Sequence, residues 1–156
     1  MEKAKQVMAS TISFIQANMQ HSIAASRILT ITVGVKGIDM AQIQEPWYCG
    51  GCIRGSNIPG YTLFSVNGIG RPRTCILTRN ETAWMLPGFS CRDLVAVLIK
   101  YIEEGVERRL VICSAYLPYD SKDPSPSKEF EDLVRYCEKE NLYLVVGCDS
   151  NAHHSV

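Results

Sequence analysis

The chain has no excess of either charge: Lys and Arg together number 16, Asp and Glu 16, and the formal net charge is zero. That balance excludes a broad electrostatic grip on a polyanion, so any contact with nucleic acid has to come from a local patch. No apolar run approaches the roughly 20 residues that a membrane span needs. The opening stretch MEKAKQVMASTISFIQ is charged at its start but has no sustained apolar segment, so it does not read as a secretory leader. Internal repeats and low-complexity segments are also missing. Charged residues make up 21% and hydrophobic residues 46%, a balance that argues against disorder. Cysteine is not scarce. Seven, an odd number without secretory context, are expected to be reduced thiols of an intracellular protein.

At 156 residues the chain is expected to form one domain, 1–156, with an ordered core from about residue 10. Thr11–Asn18, β-branched and aromatic, reads as a strand. Ala24, Ile28, Ile31 and Val35 recur at helical spacing and predict a helix from about Gln20 that ends near Gly37. Ile38–Pro46 returns as a strand, giving a β-α-β opening with parallel strands. Pro46 to Gly60 reads as a loop. YTLFSV and RTCILTRN flank Asn67-Gly68-Ile69-Gly70 and predict an antiparallel hairpin. TAWML is a short strand closed by Pro87-Gly88. Asp93–Tyr101 also fits a helix, but its continuous β-branched run favours a strand, with Arg109–Tyr116 as hairpin partner. After a Ser121–Ser127 loop, whose Pro126 suits a first helical turn, Phe130, Leu133, Val134 and Cys137 mark a helix. Leu142–Cys148 is the last strand. The expected class is α/β, mostly strands, with two covering helices.

Four of these strands end in polar residues: Asn18, Glu45, Tyr116, and Asp149 with Asn151. Any strand has to end somewhere polar. If these four share one layer their ends converge, and the ends of strands are where α/β sheets bind ligands. Glu45 and Asp149 would offer hard oxygen ligands suited to Mg²⁺ or Mn²⁺. Asn18, Asn151 and the Tyr116 hydroxyl would bond phosphate oxygens without adding negative charge.

The segments IQAN, IQEP, SAYLP and GCDSNAHH, in this order, resemble the endonuclease/exonuclease/phosphatase superfamily, the deoxyribonuclease I-like fold. CDSNAHH after SAYLP is most similar to the endonuclease domains of non-LTR retrotransposons. The resemblance implies a sandwich of two β-sheets flanked by helices, and metal-dependent hydrolysis of a phosphodiester. It implies Glu45 as metal ligand, Asn18 beside metal and phosphate, and Tyr116 on the scissile phosphate. Asp149 would orient or activate the water, with Asn151 supporting it. The superfamily's pattern continues to an aspartate-histidine pair that is not found before Val156. The expectation is therefore the N-terminal part of such a domain, C-terminally truncated: a DNA-nicking endonuclease, nuclear when acting on DNA, with a polymerase region downstream in a longer natural chain. The alternatives are an inert remnant with residual metal or nucleic-acid binding, and a phosphatase of the same superfamily.

Other residues have simpler readings beside functional ones. Arg71, Arg73 and Arg79 are candidates for substrate binding, and solvated loop charge is the plainer account. His153 and His154 would replace the missing base, or merely position their loop. Cys49-Gly50-Gly51-Cys52 lacks a second ligand pair for zinc and reads as two reduced loop cysteines. Trp47, Tyr48 and Trp84 would stack on bases or cover a sheet edge.

Overall fold

Strict alternation of side chains in the apolar strands requires two buried faces per sheet, and the fold supplies them. A computed structural model describes residues 11–68, 70–118, 122 and 126–151. In chain order these form β1 (Phe14–Asn18), α1 (Ile23–Lys36), β2 (Met40–Gln44), β3 (Tyr48–Cys49), β4 (Cys52–Ile53), β5 (Thr62–Phe64), β6 (Thr74–Thr78) and β7 (Ala83–Met85). A single 3-10 turn (Pro87–Phe89) leads to β8 (Leu94–Glu103), β9 (Val106–Tyr116), α2 (Lys128–Lys139) and β10 (Tyr143–Asp149). One sheet has the order β1-β2-β6-β5 and the other β10-β9-β8-β7; β3 and β4 pair by themselves. The β1–β2 and β9–β10 pairs are parallel, as helix-length crossovers require, and the remaining pairs are antiparallel.

On β2 and β6, Ala41, Ile43, Cys75 and Leu77 face α1, whereas Met40 and Ile76 face the other sheet. On β8 and β9, Leu94, Ala96, Leu98, Val111 and Cys113 face α2, while Val95, Val97, Ile99 and Ile112 point inward. The result is helix, sheet, sheet, helix. Leu133 and Cys137 bury α2, and Leu29 and Val33 bury α1; each large apolar side chain so buried contributes about 1.5–3 kcal/mol.

Local chemistry sets the helix ends. Ser22 caps α1 by accepting from the Ala25 amide at 3.2 Å, and Gly37, at φ 61°, closes it with its amide on the Val33 carbonyl. Ser127 caps α2 by accepting from Phe130, with Glu129 and Glu131 in the first turn and Lys139 in the last. Pro126 therefore precedes the cap instead of occupying the first turn.

The structure corrects three further sequence expectations. Ala24, Ile28, Ile31 and Val35 lie on the solvent side of α1, with Val35 82% exposed, and the core takes Ser26, Leu29 and Val33. The segment from Pro46 to Gly60 contains the β3–β4 hairpin. The β5–β6 connection runs from Ser65 to Arg73, longer than the Asn67–Gly70 turn alone. Trp84 is an exposed edge-strand residue with the Lys100 ammonium 5.9 Å from its ring centroid.

Asp39, at the start of β2, ties down the end of the sandwich remote from the polar strand endings. Its carboxylate accepts from the Ser13 amide and hydroxyl, both at 2.7 Å, and from Arg79 Nε at 2.7 Å. Burial works to raise its pKa, but these partners outweigh it and the group titrates below the ordinary carboxylate value. A depressed folded pKa contributes stability above the unfolded value of about 3.9, lost as pH falls through the folded one. Asp39→Asn should thus lower the urea midpoint near neutral pH and lose that effect well below about pH 3. A pH-independent gap would rule out the carboxylate's charge as the cause.

Candidate active site

Six strand boundaries meet at the other end of the sandwich. In the register, Asn18 lies opposite Gln44, Gln44 opposite Thr74, and Asp149 opposite Tyr116. The two parallel pairs therefore deliver their last residues to one rim, where β6 and β8 begin.

The rim is bonded across the two sheets. Asn18 donates its side-chain amide to Asp149 Oδ2, and its own Oδ1 accepts from the Gln20 amide at 2.8 Å, which fixes the orientation of the group. Asp149 Oδ1 accepts from the Asn151 amide at 3.2 Å, so both carboxylate oxygens are held. Asn151 Nδ2 donates to the Leu117 carbonyl at 3.2 Å, and the Leu117 amide donates to the Asp149 carbonyl at 2.9 Å. Glu45, just past β2, has its Oε1 3.4 Å from His21 Nε2, and the His21 amide donates to the Glu45 carbonyl at 2.9 Å.

Tyr116 sits among these groups. Burial first, then the charges of Glu45 and Asp149, raise its phenol pKa, against the lowering effect of Arg73 and an Asn151 hydrogen bond. The net shift is upward, so the phenol keeps its proton at neutral pH and can donate it. The Arg73 guanidinium lies 4.7 Å from the Tyr116 ring centroid and is clamped by a bidentate pair to Asp93. The Asp93 carbonyl accepts the Tyr116 amide at 2.8 Å, so one residue holds both the cation and the strand beneath it.

Beneath the rim the space between the sheets turns polar. Gln42 donates to the Cys113 carbonyl at 2.8 Å. Gln44 donates to Ser114 Oγ at 2.9 Å and the Gly147 carbonyl at 3.1 Å, and accepts from Gln16 Nε2 at 2.8 Å. The hydroxyls of Thr74 and Ser114 face each other against the Ile43 carbonyl. Among the described residues no buried side-chain nitrogen or oxygen lacks a partner. Such a fully bonded floor fixes the sheets against each other. Sequence reasoning missed Gln16, Gln42, Gln44, Thr74, Ser114, His21 and Asp93. Glutamines at alternate positions of the otherwise apolar MAQIQ were the available signal.

Backbone strain gathers here too. Of the six non-glycine residues with left-handed φ among those described, Gln20 (47°), His21 (57°), Glu45 (47°) and Asn151 (43°) border the rim. Each such residue costs energy that the surrounding bonds must offset, and such strain concentrates at functional sites.

Asn18, Glu45, Tyr116, Asp149 and Asn151 are thus brought together. The three arginines are not. Arg73 is at the rim and Arg71 is exposed in the preceding loop, while Arg79, beyond the far end of β6, pairs with Asp39. His153 and His154 lie outside the described residues. No three His, Cys, Asp or Glu side chains converge as a ready-made metal cage among the described residues. The rim's donors are oxygens and amides with one imidazole and no thiol, a set that fits a hard divalent cation whose remaining positions are water.

The architecture of two stacked sheets between helices is the deoxyribonuclease I-like fold of the endonuclease/exonuclease/phosphatase superfamily, whose members are this chain's structural neighbours. The endonuclease domain of TRAS1, a telomere-specific non-LTR retrotransposon, superposes with a TM-score of 0.69 at 21% identity, over 92% of this chain and 61% of that one. A superfamily protein from Leptotrichia buccalis gives 0.52 at 15% identity, over 81% of this chain and 63% of that one. A Bacteroides thetaiotaomicron mannosyl-6-phosphatase gives 0.54 at 14%, over 92% and 67%. The chain thus spans less than two thirds of the first two. No protein-family profile and no curated protein matches it.

Proposed function

We propose that this chain carries the rim of a divalent-metal-dependent phosphodiesterase that nicks DNA. The observation that supports it most is the convergence of Asn18, Glu45, Tyr116, Asp149 and Asn151 on one strand-end surface, with Asp149 hydrogen-bonded by Asn18 and Asn151 and the charge of Glu45 acting on Tyr116. The fold likeness to a retrotransposon endonuclease favours a nucleic-acid substrate; the same reading carries an intracellular, nuclear place of action and a polymerase region in a longer natural polypeptide. The likeness to a mannosyl-6-phosphatase keeps phosphomonoester hydrolysis as the second reading.

Glu45 would hold Mg²⁺ or Mn²⁺, which when bound would supply Lewis-acid stabilisation of phosphate charge. Asp149, its two oxygens oriented by Asn18 and Asn151, would accept a proton from the attacking water. Tyr116 would donate its retained proton as a hydrogen bond to a phosphate oxygen, an interaction that strengthens as charge builds there. Arg71 and Arg73 would add local positive charge to a chain that has none to spare overall.

With Glu45 as the principal carboxylate, Mg²⁺ affinity should be in about the millimolar range. Calorimetric titration should show this binding lost in Glu45→Gln and unchanged in the Cys49→Ser/Cys52→Ser double variant. Supercoiled plasmid and a sugar 6-phosphate, assayed side by side with Mg²⁺, separate the two readings: nicking without phosphate release supports the endonuclease, and the reverse supports the phosphatase.

A further inference from the structure

The cysteine pair takes no part in the rim chemistry, yet its geometry is specific. Cys49 on β3 is directly opposite Cys52 on β4, joined by Gly50 at φ 61° and Gly51 at φ 81°. Two successive left-handed residues make the tight turn whose twist matches a two-residue hairpin, and glycine adopts them without strain. Residues opposite each other on antiparallel strands have Cα atoms about 4.5–5.5 Å apart, inside the range of about 4.4–6.8 Å that a disulfide bridges. The Cys52 thiol already turns toward its partner, with Sγ 3.7 Å from the Cys49 carbonyl oxygen.

The rest of the hairpin is held in place. The Arg54 amide donates to the Trp47 carbonyl at 2.8 Å, and Arg54 Nε donates to the Cys49 carbonyl at 3.2 Å. Selectivity comes from exposure. All seven cysteines are free, and only Cys49 and Cys52 are exposed; Cys75, Cys113 and Cys137 are buried, and Cys91 and Cys148 partly so. Burial raises the thiol pKa of each of those five, which suppresses the thiolate that exchange requires.

We propose that Cys49 and Cys52 form a reversible dithiol–disulfide site that exchanges with low-molecular-weight disulfides such as oxidised glutathione. One cysteine thiolate attacks a sulfur of the small disulfide, forming a mixed disulfide and expelling one small thiolate, which takes up a proton. The second cysteine, as thiolate, attacks the protein-bound sulfur, closes the Cys49–Cys52 bond and expels the second small thiolate. The protein loses two protons and two electrons, and the small disulfide is reduced to two thiols. Among the described residues no third His, Cys, Asp or Glu stands near the pair to complete a zinc site.

The test exposes the reduced, folded chain to excess oxidised glutathione near neutral pH, then quenches with acid, alkylates under denaturing conditions and maps peptides by mass. The expected product lacks two hydrogens, carries a Cys49–Cys52 link and returns to the dithiol with dithiothreitol. Cys49→Ser and Cys52→Ser should each stop at a glutathione adduct on the remaining cysteine. Three results would overturn the proposal: a lasting glutathione adduct on the parent chain, a link involving any other cysteine, or no consumption of either thiol. Circular dichroism of each variant, unchanged from the parent, shows that the outcome reports exchange and not unfolding.

Discussion

On the proposed function, in a chain that carries the rest of the domain, Asp149→Asn should lower the rate of Mg²⁺-dependent nicking of supercoiled plasmid by about 10²–10⁴-fold, the worth of a positioned acid-base group. The substitution keeps the shape of the side chain and leaves an oxygen for the Asn18 amide, so the fold and the β9–β10 register should survive. What it removes is the negative charge that would take a proton from water. Asn18→Ala frees one oxygen of the same carboxylate without discharging it, and should cost less, about 10–100-fold, the usual scale for a group that orients a functional one. The order matters as much as the size. An Asp149→Asn variant as active as its parent, with circular dichroism unchanged, would remove Asp149 from the chemistry. An Asn18 effect larger than the Asp149 effect would give Asn18 its own contact with the phosphate or the metal.

The second large effect is on stability. Gly147, in β10, passes so close to β2 that an added Cβ would stand 2.8 Å from Gln42 Cδ and 2.9 Å from Gln42 Cβ. The Cβ contact is with the root of the side chain, so a change in its outer torsions cannot relieve it. Gln42 is also buried and holds the Cys113 carbonyl. Gly147→Ala should therefore destabilise by about 2–4 kcal/mol, overpacking plus a forfeited buried hydrogen bond, read from urea denaturation. Adding Gln42→Gly removes that Cβ together with the outer atoms and makes room for the new methyl group, so the two substitutions together should cost less than the sum of each alone. A Gly147→Ala variant within about 0.5 kcal/mol of its parent, the range of ordinary surface changes, would show that the sheets can part without loss.

The rim was legible in the sequence because chemistry and chain direction coincide there. Each of its residues follows an apolar run at a strand end, and two helix-length crossovers force the strands that carry Asn18, Glu45, Tyr116 and Asp149 to run parallel in pairs. The strand over Asp93–Tyr101 was less plain, since its apolar positions also fit a helix, and its continuous β-branched run with Arg109–Tyr116 as partner decided for the hairpin that the structure shows. Less of α1 could be read. It is apolar nearly all round, so a helical period through Ala24, Ile28, Ile31 and Val35 and another through Leu29 and Val33 were both present, and periodicity cannot say which faces inward.

By itself the sequence determined most of the elements and the polar endings that the fold gathers into one rim. Only the tertiary structure decided the rest. Arg73 and Arg79 look like neighbours in the chain, but β6 lies extended between them and puts them about 20 Å apart, one on the rim and one against Asp39. Gln42, Gln44, Thr74 and Ser114 look like solvent-facing strand residues. They are buried because a second sheet lies over them and gives each a hydrogen-bond partner, which no pattern within a single strand can announce.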